Sequence, residues 1–219
     1  MNILITGTSR GIGKAAAERF ISLGHTVYGI DIRDPSIKSE NYVHIKADIR
    51  RAEDLPDVPD IAVIVNNAGT QNGEDDIETN LKGAINVTEK YMCSDKLVSV
   101  LFNASASSVS GQEFPYYVAS KAGLVGYMKN AAIRLAPRKV TCNAVSFGGV
   151  YTESNAPVTD DPELFGRIMD VTPMKKWTTL EETSDWIVFL TLTNRSMSGR
   201  NLLIDNGEAC LNPTFVWPE

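Results

Sequence analysis

The sequence predicts an α/β fold, a doubly wound parallel sheet of about seven strands forming a single domain. Three observations carry this expectation. Short apolar runs alternate with helix-patterned segments along the chain. One of them, Ile61–Val65, is apolar at every position, as suits a parallel strand covered on both faces. The first run, Asn2–Thr6, passes through Gly7-Thr-Ser-Arg-Gly-Ile-Gly13 straight into a helical stretch. Strand, glycine turn and helix in that order make an anion site from the helix N-terminus.

Each element can be justified in turn. Gly7 permits the tight turn, Gly11 lets backbone approach a pyrophosphate, and Gly13 lets helix and strand pack closely. Lys14 to Leu23 reads as the helix, with Gly24 as its stop. Thr26–Ile30 is a second strand, and Asp31 at its end can accept both hydroxyls of an adenosine ribose. Val43–Lys46 is a short third strand. Beyond it Asp48 can accept from an adenine amino group while Ile49 packs on the ring. The fourth strand, Ile61–Val65, runs into Asn66-Asn-Ala-Gly69, whose small residues let backbone lie against a ligand. Lys96–Phe102 is the fifth, followed by the serine-rich Asn103-Ala-Ser-Ala-Ser-Ser-Val-Ser110.

Tyr116 to Ala136 reads as a helix closed by Pro137, with Ala119, Ala122, Leu124, Met128, Ala131, Ala132 and Leu135 at helical spacing. Tyr117 and Lys121 are four apart and share a face. A cation held beside a phenol lowers its pKa from about 10, which makes the pair a plausible acid/base device for a carbonyl or alcohol. From Thr152 to about Lys176 the chain is polar, with a helical patch Glu163–Met169. Thr179-Leu-Glu-Glu182 is a capping-box signature for a helix to about Leu192, whose Trp186, Val188, Phe189, Leu190 and Leu192 are expected to pack inward. Leu202–Ile204 is the last strand, and Leu211–Glu219 is a tail expected to lie on a neighbour.

Composition narrows the function classes. The 219 residues are 43% hydrophobic, enough for a real core. A net charge of −6 and a pI near 5.0 argue against general binding to nucleic acid or anionic membranes. No apolar run is long enough to span a bilayer. Met1-Asn-Ile-Leu-Ile-Thr-Gly7 has no basic start and no cleavage site, so a signal peptide is not expected. Cys93, Cys142 and Cys210 are odd in number and far apart, as in reduced thiols of a cytoplasmic protein. His25 and His44 lack ligand-spaced partners, so no metal is expected.

With these motifs in order, the chain resembles the classical short-chain dehydrogenase/reductase family, on the Rossmann fold. Thr6-Gly-Thr-Ser-Arg-Gly-Ile-Gly13, Asn66-Asn-Ala-Gly69, Asn80-Leu-Lys-Gly83 and Tyr117-Val-Ala-Ser-Lys121 are similar to its motifs. Asn143–Thr152 resembles its segment after the sixth strand, and Ser198–Asp205 its seventh. The resemblance covers all but the last ten or so residues. It implies the strand order 3-2-1-4-5-6-7, with residues 1–104 mainly holding cofactor, residues 105–210 mainly catalysis and substrate, and 211–219 a tail. It implies hydride transfer between NAD and an alcohol or carbonyl substrate. Tyr117 would be the general acid/base, Lys121 its activator, Ser105 the substrate's hydrogen-bond partner, and Asn80 the holder of a relay water. Cofactor contacts would come from Gly7, Ser9, Arg10, Gly11, Ile12, Gly13, Asp31, Ile32, Asp48, Ile49, Asn66, Asn67, Ala68, Gly69, Tyr117, Lys121, Gly148, Val150 and Thr152. NADP is the less expected cofactor, because of Asp31. The family's pairing helices correspond to Tyr116–Ala136 and about Glu78–Met92, so a homodimer or homotetramer is expected, with Tyr127, Met128 and Ala131 on its surface.

The chain departs from the family pattern in three places. Only ten residues separate Gly69 from Asn80, where the family has a longer loop and helix. Phe147-Gly148 replaces its Pro-Gly. The family's serine position, thirteen before the tyrosine, is Ala104, leaving Ser105, Ser107 and Ser108 as candidates with Ser105 preferred. The alternative function is a non-catalytic dinucleotide-binding regulator or scaffold on the same fold.

Overall fold

The computed structural model describes residues 1–71, 73–112 and 114–211. The expected tail beyond Leu211 lies outside them. Seven parallel strands form one sheet: β1 (Asn2–Thr6), β2 (Thr26–Asp31), β3 (Tyr42–Lys46), β4 (Ile61–Asn66), β5 (Ser99–Asn103), β6 (Thr141–Phe147) and β7 (Asn201–Ile204). Their order is β3-β2-β1-β4-β5-β6-β7. The helices are α1 (Gly11–Ser22), α2 (Ala84–Tyr91), α3 (Ser107–Ser110), α4 (Pro115–Leu135), α5 (Ala156–Thr159), α6 (Pro162–Val171) and α7 (Leu180–Val188). Two widened π-helical segments, Ile77–Gly83 and Phe189–Thr193, lead into α2 and out of α7.

Alternation along fully apolar strands builds two cores. Successive side chains point to opposite faces. Leu4, Ile64, Val100 and Phe102 therefore meet α2 and α4 through Val87, Tyr91, Leu124 and Met128. Ile3, Ile5, Val63, Val65 and Leu101 meet α1 and α7 through Ala16, Phe20 and Ile187. Truncating a buried ring such as Phe20 would cost about 3–5 kcal/mol.

The structure corrects several expectations. Asn143–Phe147 belong to β6 itself, wholly buried, and only Gly148–Thr152 follow the strand. On α4, Ala119 and Ala122 face outward, while Ser120 and Lys121 are buried. Met128 and Ala131 lie in the core and offer no surface for a second subunit. The most exposed large apolar residue of that helix is Ile133, 74% exposed. Near α7, Ile187 and Leu190 are buried and Val188 and Leu192 pack beside them. Trp186 and Phe189 instead stand exposed, edge to face with ring centroids 6.0 Å apart.

Candidate active site

α4 opens with Pro115 in its first turn, where a missing N–H costs nothing, after the extended Phe114. This start sets the helix phase, so that Tyr117 stands half-buried at the cleft while Tyr116 is 60% exposed. Lys121, one turn on, is only 5% exposed. Its Nζ donates to the main-chain oxygen of Asn103 at 2.8 Å and lies 5.7 Å from the Tyr117 ring centroid. Burial pulls the ammonium down to about 8, and the negative field of Asp76 opposes this.

Asn80 sits in the π-helical segment, buried and outside the lining of the cleft. Its Oδ1 accepts from Thr70 N at 2.7 Å. Its Nδ2 donates to Thr70 O at 2.9 Å and to Ser120 Oγ at 3.0 Å. Ser120 Oγ in turn donates to Tyr117 O at 2.7 Å. Both amide hydrogens of Asn80 are thus committed to holding the loop and α4.

Of the candidate serines, Ser105 and Ser107 line the cleft, with their hydroxyls 3.0 Å apart. Ser107 N also donates to Ser105 Oγ at 3.2 Å. Ser108 does not line the cleft. Its hydroxyl donates to Ser105 O at 2.7 Å, and its oxygen lies 3.3 Å from Ser146 Oγ.

The cleft, about 1020 Å³, runs from these serines to the carboxyl ends of β1 and β2. Gly7 adopts φ +76°, and a Cβ there would stand 2.9 Å from Ala68 Cα. A Cβ on Gly13 would fall 2.1 Å from Gly7 O, so helix and turn touch backbone to backbone. No side chain caps α1, and its first turn carries no acidic residue. Those free N–H groups and the glycine cradle fit a pyrophosphate. Asp31 lines the far end, its carboxylate fixed by Ser9 N and Arg33 N, each at 2.9 Å. A ribose fits that fixed acceptor.

Arg10, Gly11, Ile12, Ile32, Asn67, Ala68, Gly69, Gly148, Val150 and Thr152 also line the cleft. Ser9, Gly13 and Asn66 do not. Ser9 holds Asp31, Gly13 packs on the turn, and Asn66 donates to Thr88 Oγ1 at 2.9 Å. Asp48 and Ile49 reach the lining, yet both have other partners. The Arg50 guanidinium grips both oxygens of Asp48, holding its carboxyl below the usual range. Ile49 is buried against Gly83, where a Cβ would come within 2.7 Å of Ile49 Cδ1.

With this geometry established, the comparisons with known proteins agree. A family described as enoyl-(acyl carrier protein) reductase matches residues 7–208. The chain belongs to the classical short-chain dehydrogenase/reductase family. It is 27% identical to an uncharacterized oxidoreductase of Schizosaccharomyces pombe, over 98% of this chain and 93% of that protein. It is 26% identical to a 3-oxoacyl-[acyl-carrier-protein] reductase of Staphylococcus epidermidis, over 93% and 97% respectively. A short-chain dehydrogenase/reductase structure from Burkholderia thailandensis superposes with a TM-score of 0.88 at 26% identity, covering 96% and 93% of the two chains. This family's oxidoreductases use a nicotinamide cofactor on small-molecule substrates.

Several residues of this short-chain dehydrogenase/reductase site went unmarked in the sequence. Asn103 gives Lys121 its acceptor, and its Nδ2 donates to Asn67 Oδ1 at 2.8 Å, tying β5 to the Asn66–Gly69 turn. Ser120 lies inside the Tyr-x-x-x-Lys motif, where a hydroxyl directly before the buried lysine was the available signal. Arg50 was legible as a cation two residues from Asp48. Trp177 lines the cleft with its indole N–H unpartnered, packed on Gly149, and no local pattern announces it. Among the described residues no helix is long and apolar enough to cross a membrane, and no His, Cys, Asp or Glu group is placed to hold a metal ion.

Proposed function

We propose that the protein is an NAD-dependent dehydrogenase/reductase of an alcohol or carbonyl compound, with Tyr117 as its general acid/base. The observation that carries this reading is the buried Lys121 ammonium beside Tyr117 at the mouth of a dinucleotide-sized cleft. The nicotinamide supplies or takes up the hydride when bound. Tyr117 holds the hydroxyl proton of the substrate oxygen, giving it in reduction and taking it in oxidation. Lys121 stabilises the phenolate and reaches the cofactor's ribose side through the Asn66–Gly69 turn, where a Cβ on Gly69 would lie 3.5 Å from its Nζ. Ser105, backed by Ser107, hydrogen-bonds the substrate oxygen. Asn80 acts by positioning, through Ser120 and Thr70.

The glycine turn and α1 N-terminus take the pyrophosphate, and Asp31 takes the adenosine ribose. Phe114, Val158, Ile168 and Trp177 line the cleft from the catalytic half, where Lys121 is the one cation among the described lining residues. That lining, in which Glu208 is the one acid among the described residues, disfavours an anionic substrate and suits an uncharged one with an apolar body. Assembly as a homodimer or homotetramer through the outer face of α4 follows the same reading, supported by the exposed Ile133.

Incubation with NAD and a panel of secondary alcohols, followed by NADH absorbance, tests the reading. Turnover of uncharged alcohols is expected. Firm NAD binding with no turnover of any alcohol, or of the matching ketones with NADH, would favour the regulator instead.

A further inference from the structure

The shortened stretch between Gly69 and Asn80 holds a feature that the proposed chemistry leaves unused. Asp76 stands immediately before the π-helical segment and is fully buried. Its Oδ1 accepts from Thr70 Oγ1 at 2.9 Å and its Oδ2 from Gly73 N at 3.1 Å. A carboxylate buried away from water is costly unless donors or a cation compensate it. Thr70 Oγ1 and Gly73 N are among the donors that clamp the loop, and a buried cation is at hand. Thr70 is pinned at its main-chain N and O by Asn80, and the preceding Gly69 packs against Lys121 Nζ. The buried carboxylate therefore holds Thr70 while the buried ammonium lies against the adjacent Gly69.

The groups facing that ammonium are few. Tyr117 faces it from its own helix and the Asn103 carbonyl from β5, with Gly69 on the turn after β4. The charged group whose field acts on it is Asp76. We infer that Asp76 is a positioning residue of this active site: it closes the shortened loop onto Asn80 and keeps Lys121 in its charged form. Desolvation alone would drive Lys121 lower than about 8, and the field of Asp76 works against it. Here one carboxylate does both tasks. That Lys121 serves Tyr117 rests on the function proposed above, whereas the electrostatic link does not.

The test is a direct titration of Lys121 by NMR with 13Cε-labelled lysine, its resonance assigned by its loss in Lys121→Arg. In Asp76→Asn, which keeps the size and an acceptor for Thr70, the Lys121 midpoint should fall measurably below that of wild type. Asp76→Ser serves as the second variant if the amide does not fold, and the same fall is expected. An unmoved midpoint in a folded variant overturns the inference. The activity profile separates the two readings. If the high-pH limb of kcat moves down with the midpoint, both stand. If the midpoint falls while the kcat profile stays put, Asp76 still sets the charge of Lys121 but the role given to Lys121 in turnover fails.

Discussion

Lys121 donates its buried ammonium to the main-chain oxygen of Asn103, 2.8 Å away across the end of β5. A neutral carbonyl is a weak partner for a buried charge, and burial draws the ammonium from 10.5 down to about 8. The unfolded chain therefore binds more protons at this lysine between those two values, so stability rises as pH increases through that window. Below it the fold carries the whole penalty, roughly 3 kcal/mol on a scale of about 1.4 kcal/mol per unit. Lys121→Met should accordingly abolish turnover, and wild type should gain urea resistance relative to it as pH rises from about 8 toward 10.5. Equal midpoints at every pH would contradict the assigned burial cost.

Cofactor choice follows from Asp31. Its oxygens are fixed by two main-chain N–H groups, so the carboxylate cannot swing away from a 2′-phosphate. Like charges about 4 Å apart at an effective dielectric near 20 repel by about 4 kcal/mol before relaxation. Arg10, exposed on the same cleft, pulls the other way. NAD should therefore win in kcat/KM, and Asp31→Ala should narrow the preference. Comparable kcat/KM for both cofactors in wild type would sink this assignment.

The serine-rich turn offers three hydroxyls with different prospects. Ser105→Ala should lower kcat most, because Ser105 lines the cleft and its Oγ receives support from Ser107 Oγ and N. Ser107→Ala should cost less, through the lost support. Ser108→Ala should leave kcat within a few-fold, since that hydroxyl is turned to Ser105 O. Steady-state kinetics on one substrate rank the three, and a dominant Ser107 effect would reassign the role.

How far the sequence spoke depended on whether a residue's partner was near it in the chain. The glycine turn and the shared face of Tyr117 and Lys121 are local patterns, strand order came with the family resemblance, and the fold carries all three through. The inward phase of α4 was misread at Ala119 and Ala122 because two polar residues, Ser120 and Lys121, occupy the buried stripe for reasons of chemistry. Asp76 reads as one more acid in Glu74-Asp-Asp76, and only the closed loop reveals it as buried. The buried stripe of α7 runs through Thr183, Ser184 and Ile187, the first two polar, which is why Trp186 and Phe189 emerge where an inward face was expected from apolarity.

The cap of α7 was legible and gives a prediction independent of function. Thr179 Oγ1 accepts from Glu182 N at 3.1 Å, while Glu182 Oε2 accepts from Thr179 N at 2.9 Å. Thr179→Ala should cost about 1 kcal/mol. Denaturant unfolding should show that loss with an unchanged slope, and no loss would mean water replaces the cap.

The central claim is that Tyr117 moves the proton, and the contrast with its neighbour tests it most directly. Adjacent residues on a helix point about 100° apart. Tyr117 meets the Lys121 ammonium, while Tyr116 is turned to solvent. On any substrate that the wild type turns over, kcat should be compared for Tyr117→Phe and Tyr116→Phe. Tyr117→Phe should lose the 10²–10⁴-fold typical of a missing general acid, with NAD affinity little changed. Tyr116→Phe should remain within a few-fold of wild type. Near-normal turnover by Tyr117→Phe would contradict the mechanism.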